Sequence, residues 1–121
     1  MEALKEDIYT REHIQLVVNS FYNKVRQSKV IGHYFINVDW EKHLPTMYSF
    51  WSTVILHQEG YKGNPFEKHL KLPDLKEADF AEWVKLFHET VDEHFQGETA
   101  KAMKHRGSTI AFIFKTKLVK Q

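Results

Sequence analysis

The segment Phe80-Ala81-Glu82-Trp83-Val84-Lys85-Leu86-Phe87-His88-Glu89-Thr90-Val91-Asp92-Glu93-His94-Phe95 decides the fold class. Phe80, Trp83, Val84, Phe87, Val91 and Phe95 recur at intervals of three and four, which gathers them on one face of an α-helix. His88, Glu89, Asp92, Glu93 and His94 fall elsewhere on the turn and read as its solvated side. Gly97 is the expected stop, since glycine enters the left-handed conformation that ends helices. His88-Glu89-Thr90-Val91-Asp92 misses the zinc motif His-Glu-x-x-His only at its last position, and the polar side of the helix accounts for it without a metal.

The same periodicity extends in both directions. Ile14, Val17, Val18, Phe21, Tyr22 and Val25 form one stripe on a helix that Thr10 is suited to cap. Residues 30–35, around Gly32, read as a turn or a single helical turn. Asp39 is suited to cap a second helix with His43, Met47, Phe50, Trp51 and Val54 inward. Pro45 either kinks this helix or makes it restart near Leu44, which leaves the direction of His43 open. Residues 58–65, with Gly60, Gly63 and Pro65, read as a loop, and residues 66–71 as a short helix that stops before Pro73. A last helix begins near Glu98, with Met103, Ile110, Ile113, Phe114 and Leu118 inward. No period-two strand pattern of useful length occurs, nor any repeat, linker or low-complexity tract. An all-α fold of four main helices in a single domain, 1–121, is therefore expected.

Composition narrows the chemistry. Hydrophobic residues make up 42% of the 121 and aromatic ones 14%, with nine Phe, five Tyr and three Trp. Such rings fill a core, and equally wall a site for a flat, apolar cofactor. Seventeen basic and sixteen acidic residues leave a net charge of +1, which gives no field to steer the chain to nucleic acid or an anionic membrane. The late basic cluster of Lys101, Lys104, His105, Arg106, Lys115, Lys117 and Lys120 has no interleaved aromatics on its face and reads as solvated surface. The longest apolar run, 110–114, is far too short to span a bilayer, and the charged start from Met1 to Asp7 is unlike a secretory signal, so a soluble, cytoplasmic protein is expected. Cysteine is absent, which removes disulfides, thiolate nucleophiles and thiolate metal ligands. None of the eight histidines has Glu three residues before it, so the paired ligands of a diiron bundle are missing. No Gly-rich phosphate loop or Gly-x-Ser-x-Gly elbow is present.

His69 remains. It closes Tyr61-Lys62-Gly63-Asn64-Pro65-Phe66-Glu67-Lys68-His69-Leu70, on a short element directly after the aromatic second helix. Neutral imidazole held in that way suits a haem iron, which takes one strong protein donor. Across a flat cofactor from it, Tyr22 and Trp83 are the odd members of otherwise apolar stripes, each carrying a hydrogen that needs a partner when buried. Each on its own is as well read as core with its polar tip at the rim. Together they form a site able to donate to dioxygen.

These residues resemble the group III truncated haemoglobins over nearly the whole chain. The resemblance is carried by Phe21-Tyr22-Asn23-Lys24-Val25-Arg26, by Trp40-Glu41-Lys42-His43 with Phe50-Trp51, by Tyr61 to Leu70 as quoted, and by Trp83-Val84-Lys85-Leu86-Phe87. The absence of any Gly-Gly dipeptide fits group III better than groups I and II. The resemblance implies a shortened globin, a two-over-two helical sandwich around non-covalent haem b. It implies His69 as the proximal iron ligand, polar distal residues at Tyr22 and Trp83, and His43 at the family's distal-helix histidine position. Met47, Phe50, Trp51, Phe66 and Phe87 are then the apolar residues expected against the cofactor. The implied function is binding of oxygen, NO or CO. A haem enzyme is the alternative, a nitric oxide dioxygenase or a peroxidase-like protein in which His43 moves protons, served by a reductase. A cofactor-free helical interaction module, its stripes forming core and dimer surface, is the reading from another class. The assembly expected is a monomer or weak homodimer.

Overall fold

Helix boundaries follow from local chemistry. The computed structural model describes residues 5–58 and 75–118, and among them four α-helices: α1 Arg11–Gln27, α2 Trp40–Leu56, α3 Glu77–His94 and α4 Glu98–Leu118. A 3-10 turn, Gly32–Phe35, links α1 to α2. Thr10 caps α1 as expected: its hydroxyl accepts from the His13 backbone N–H at 3.2 Å. His13 returns the bond, its Nδ1 accepting from the N–H of Tyr9 at 3.0 Å and of Thr10 at 3.3 Å. That takes the place a Glu side chain fills in the usual reciprocal cap. Nε2 of the same ring lies 3.2 Å from the Glu6 carboxylate, which fits the tautomer with hydrogen on Nε2.

Asp39 occupies the position before α2, but its side chain makes no capping bond, in contrast to the expectation. Its carbonyl instead accepts from Lys42 and His43, at 3.1 and 2.8 Å. Nor does the helix restart at Leu44, because α2 runs through Pro45 to Leu56. Proline removes one backbone donor there, and the Thr46 hydroxyl donates to the Lys42 carbonyl at 2.9 Å in the same turn.

The start of α4 is capped from far away in sequence. Asp7 accepts from the N–H groups of Thr99 at 2.9 Å and Ala100 at 2.8 Å, and from its own neighbour Ile8 at 2.8 Å. Gly97 makes room for it: φ is +135°, and a Cβ there would lie 2.5 Å from the Asp7 Cγ.

α1 pairs with α2 and lies against α3, and α3 pairs with α4. All six residues of the α1 stripe are buried. They meet Phe87 and Val91 of α3, Phe95 just after it, Ala100 and Met103 of α4, and Ile8 from the N-terminal segment. Close approach of α3 and α4 depends on Gly107, where a Cβ would come within 2.6 Å of the Phe87 ring.

Two expectations fail on this packing. Ile113, expected inward, is 43% exposed, and Ala111 takes the buried place. His88, expected on the solvated side of α3, is partly buried against α4, its Nε2 lying 2.8 Å from the Ser108 hydroxyl and 3.1 Å from the Lys104 carbonyl. Among the described residues there is no strand, and no helix is long and apolar enough to cross a membrane. The expected loop at 58–65 lies almost wholly outside the described residues, and the short helix at 66–71, with Phe66 and His69, lies entirely outside them.

Candidate functional site

The inward face of α2 lines a groove. His43, Met47, Phe50 and Trp51 stand at helical spacing along one side of this groove, which has about 870 Å³ of empty space, part of it open to solvent. Tyr22 of α1, Tyr34 and Phe35 of the 3-10 turn, Phe80 and Trp83 of α3, and Ile110 and Phe114 of α4 complete the wall. Every helix thus contributes.

The polar end is built around Tyr22, which is 8% exposed. Burial raises its hydroxyl pKa well above the ordinary tyrosine value, so the group stays protonated and able to donate. The His43 ring stands edge-on to it, with centroids 5.1 Å apart. Trp40 backs both, 5.2 Å from Tyr22 and 5.5 Å from His43, and the Arg26 guanidinium lies 5.1 Å from the Trp40 ring. Pro45 has therefore not turned His43 away from the groove.

Trp83 reaches the groove from α3, its ring edge-on to Phe21 at 5.2 Å. Phe87 does not line the groove. It stands behind the wall, 1% exposed, stacked 5.0 Å from Trp51 and 5.2 Å from Trp83, and so holds both rings in place. Of the residues expected against the cofactor, Tyr22, His43, Met47, Phe50, Trp51 and Trp83 line one groove. Phe66 and His69 lie outside the described residues.

One polar feature of the wall had no counterpart in the sequence reading. Asp79, in the first turn of α3, is buried at the groove, where its Oδ2 accepts from the Tyr34 hydroxyl at 2.7 Å and from the Lys76 N–H at 2.9 Å. Its spacing of four from Trp83 was the signal available, since such residues share a helix face.

Flat apolar walls with a few polar atoms at defined points fit a planar, largely apolar cofactor. Among the described residues no three His, Asp or Glu side chains converge to hold a metal ion.

No protein-family model matches the chain. It is 31% identical, over 97% of both sequences, to the group 3 truncated hemoglobin ctb of Campylobacter jejuni. The crystal structure of the group III truncated hemoglobin from Campylobacter jejuni superposes with a TM-score of 0.86, covering 97% of each chain. A truncated hemoglobin from Tetrahymena pyriformis, in a mutant Fe(III) form, gives a TM-score of 0.71 at 19% identity, covering 91% of this chain and 92% of that one; this likeness bears on the fold alone.

Proposed function

The chain belongs to the group 3 truncated haemoglobins, and from that premise we propose that it holds haem b in the groove and binds a diatomic gas at the polar end. The observation that carries the reading is the meeting of Tyr22, His43 and Trp83 on a groove otherwise walled by apolar and aromatic side chains from four helices. Bound haem supplies reversible coordination of a gas at iron, chemistry no side chain offers.

The chain's own residues do the rest. Met47, Phe50, Trp51, Phe80 and Phe114 take up the flat apolar faces and keep water from them. Tyr22 and Trp83 bring an O–H and an N–H, and donors of this kind favour dioxygen, which gains negative charge on binding, over carbon monoxide, which gains far less. His69, in the segment that follows α2 in the sequence, is proposed as the iron ligand, as the resemblance to the family implies.

A spectrum tests the proposal. Purified protein titrated with hemin should give a Soret band that saturates at one equivalent, and His69→Ala should lose the five-coordinate ferrous spectrum and regain part of it with added imidazole. A helical, folded protein that refuses hemin overturns the proposal.

His43 beside Tyr22 also supports a second reading, a haem enzyme in which the imidazole moves protons during nitric oxide or peroxide chemistry. Steady-state turnover with a reductant, lost in His43→Ala, is its distinguishing result.

A further inference from the structure

Asp79 places a carboxylate in the same groove as the two donors. It is 8% exposed, and Tyr34 and the Lys76 backbone both donate to one of its oxygens. Two donors on one oxygen suit an ionised carboxylate, which only accepts. Among the described residues its other oxygen accepts no hydrogen bond. Asp79 and Trp83 are four apart on α3, so their Cβ atoms stand roughly 6 Å from one another on one face. Whatever Trp83 holds, Asp79 stands close by.

The consequence depends on charge. Tyr22 and Trp83 present hydrogens, and donors alone would welcome an anion as readily as a polarised gas. A fixed negative charge among apolar walls is weakly screened and acts against a second negative charge brought close to it. A ligand that stays near neutral when bound, as carbon monoxide does, feels little of it.

We propose that Asp79, positioned by the Tyr34 hydroxyl, is a specificity-determining residue that disfavours small anionic ligands beside Trp83 relative to carbon monoxide, which stays near neutral when bound. This rests on the haem reading. Tyr34 acts through Asp79 by fixing the oxygen to which it donates, while the charge itself discriminates.

The test uses the hemin-loaded protein, with azide as the anionic probe on the ferric form and carbon monoxide as the neutral one on the dithionite-reduced ferrous form, both followed by absorbance near neutral pH. In Asp79→Asn the ratio of azide to carbon monoxide affinity should rise about ten-fold, the size expected for one charge several ångströms away at an intermediate dielectric. Asp79→Glu, which keeps the charge, should hold the wild-type ratio. The double variant Asp79→Leu/Tyr34→Phe replaces the whole pair by apolar surface and should match Asp79→Asn, so the test survives if either fails to fold. An unchanged ratio in both uncharged variants, or a Glu variant that behaves like Asn, overturns the inference while leaving the haem reading intact. A wild-type protein that takes no hemin overturns both.

Discussion

α1 and α2 are each seventeen residues long, each carries an apolar stripe, and the two pack against one another, yet they use their stripes differently. In α1 six residues, Ile14 to Val25, vanish into the core. In α2 only Trp51 and Ser52 are buried, while Leu44, Met47, Tyr48 and Phe50 are partly buried, Met47 and Phe50 lining the groove. Protein interiors are close-packed, so a stripe left half-covered among packed neighbours is unusual in a folded domain. The α1 stripe is complete without a guest. On the proposed reading, that of α2 takes one.

The largest expected effect lies on the packed side. Phe21 is buried where α1 meets α3, edge-on to Trp83 and Phe87. Phe21→Ala should cost about 3–5 kcal/mol of stability in the protein without cofactor, read from urea unfolding. A loss below about 1 kcal/mol would mean that the α1 side is as loosely packed as the groove, and the contrast would collapse.

Tyr22 stands at the boundary, since it belongs to the buried α1 stripe and also lines the groove. Tyr22→Phe keeps most of the ring and removes the donor. A hydrogen bond to a charged or strongly polarised acceptor is worth about 1.5–3 kcal/mol, so oxygen release should speed up roughly ten- to a hundred-fold while carbon monoxide release changes far less. Stopped-flow and flash-photolysis rates measure both. Equal acceleration of the two gases would assign Tyr22 to packing alone.

The contrast also explains which parts of the molecule were legible in the sequence. α1 has one buried face, so a single stripe describes it fully, and Thr10 marks its start. α3 has two, one toward α1 and the groove and another toward α4. A single-stripe reading found Trp83 and Phe87 but put His88 in water, although its ring is bonded to Ser108. In α4 the run 110–114 is too densely apolar for periodicity to say which members turn inward. Packing settles it: Ile110, Ala111 and Phe114 line the groove while Phe112 and Ile113 face out. The Tyr34–Asp79 pair joins a residue of the short 3-10 turn to one 45 positions later, beyond α2, and no local pattern encodes such a meeting. His43 was uncertain because Pro45 is incompatible with ordinary helix propagation, and only the continuous α2 resolves its direction.

A smaller effect is expected where the N-terminal segment ties down the packed side. Burial by itself would raise the Asp7 pKa, but the N–H groups of Thr99, Ile8 and Ala100 and the Thr99 hydroxyl hold it below its ordinary value. A carboxylate whose pKa is lowered by folding stabilises the protein above its unfolded pKa, and that contribution is lost as pH falls through the lower folded value. Asp7→Ala should therefore cost about 0.5–2 kcal/mol at neutral pH, as loss of a helix cap does. The gap from wild type should narrow below about pH 4. A gap that is the same at pH 3 and pH 7 would mean that shape alone, and not charge, matters at this cap.

The smallest effect is the sharpest test of the contrast. Met47 sits mid-way along α2 and lines the groove, with part of its side chain facing empty space. Deleting a fully buried methionine side chain costs about 2–5 kcal/mol, through lost transfer energy and the cavity left behind. Here the space already exists, and few contacts are lost when the side chain is cut back. Met47→Ala should therefore change the stability of the cofactor-free protein by less than about 1 kcal/mol. With hemin bound the same side chain gains a partner over its free surface, so the substitution should weaken hemin binding several-fold. Unfolding with and without hemin, in wild type and variant, separates the two terms. If Met47→Ala destabilises the cofactor-free protein as much as Phe21→Ala does, the α2 stripe is ordinary core and the groove is not arranged for a guest.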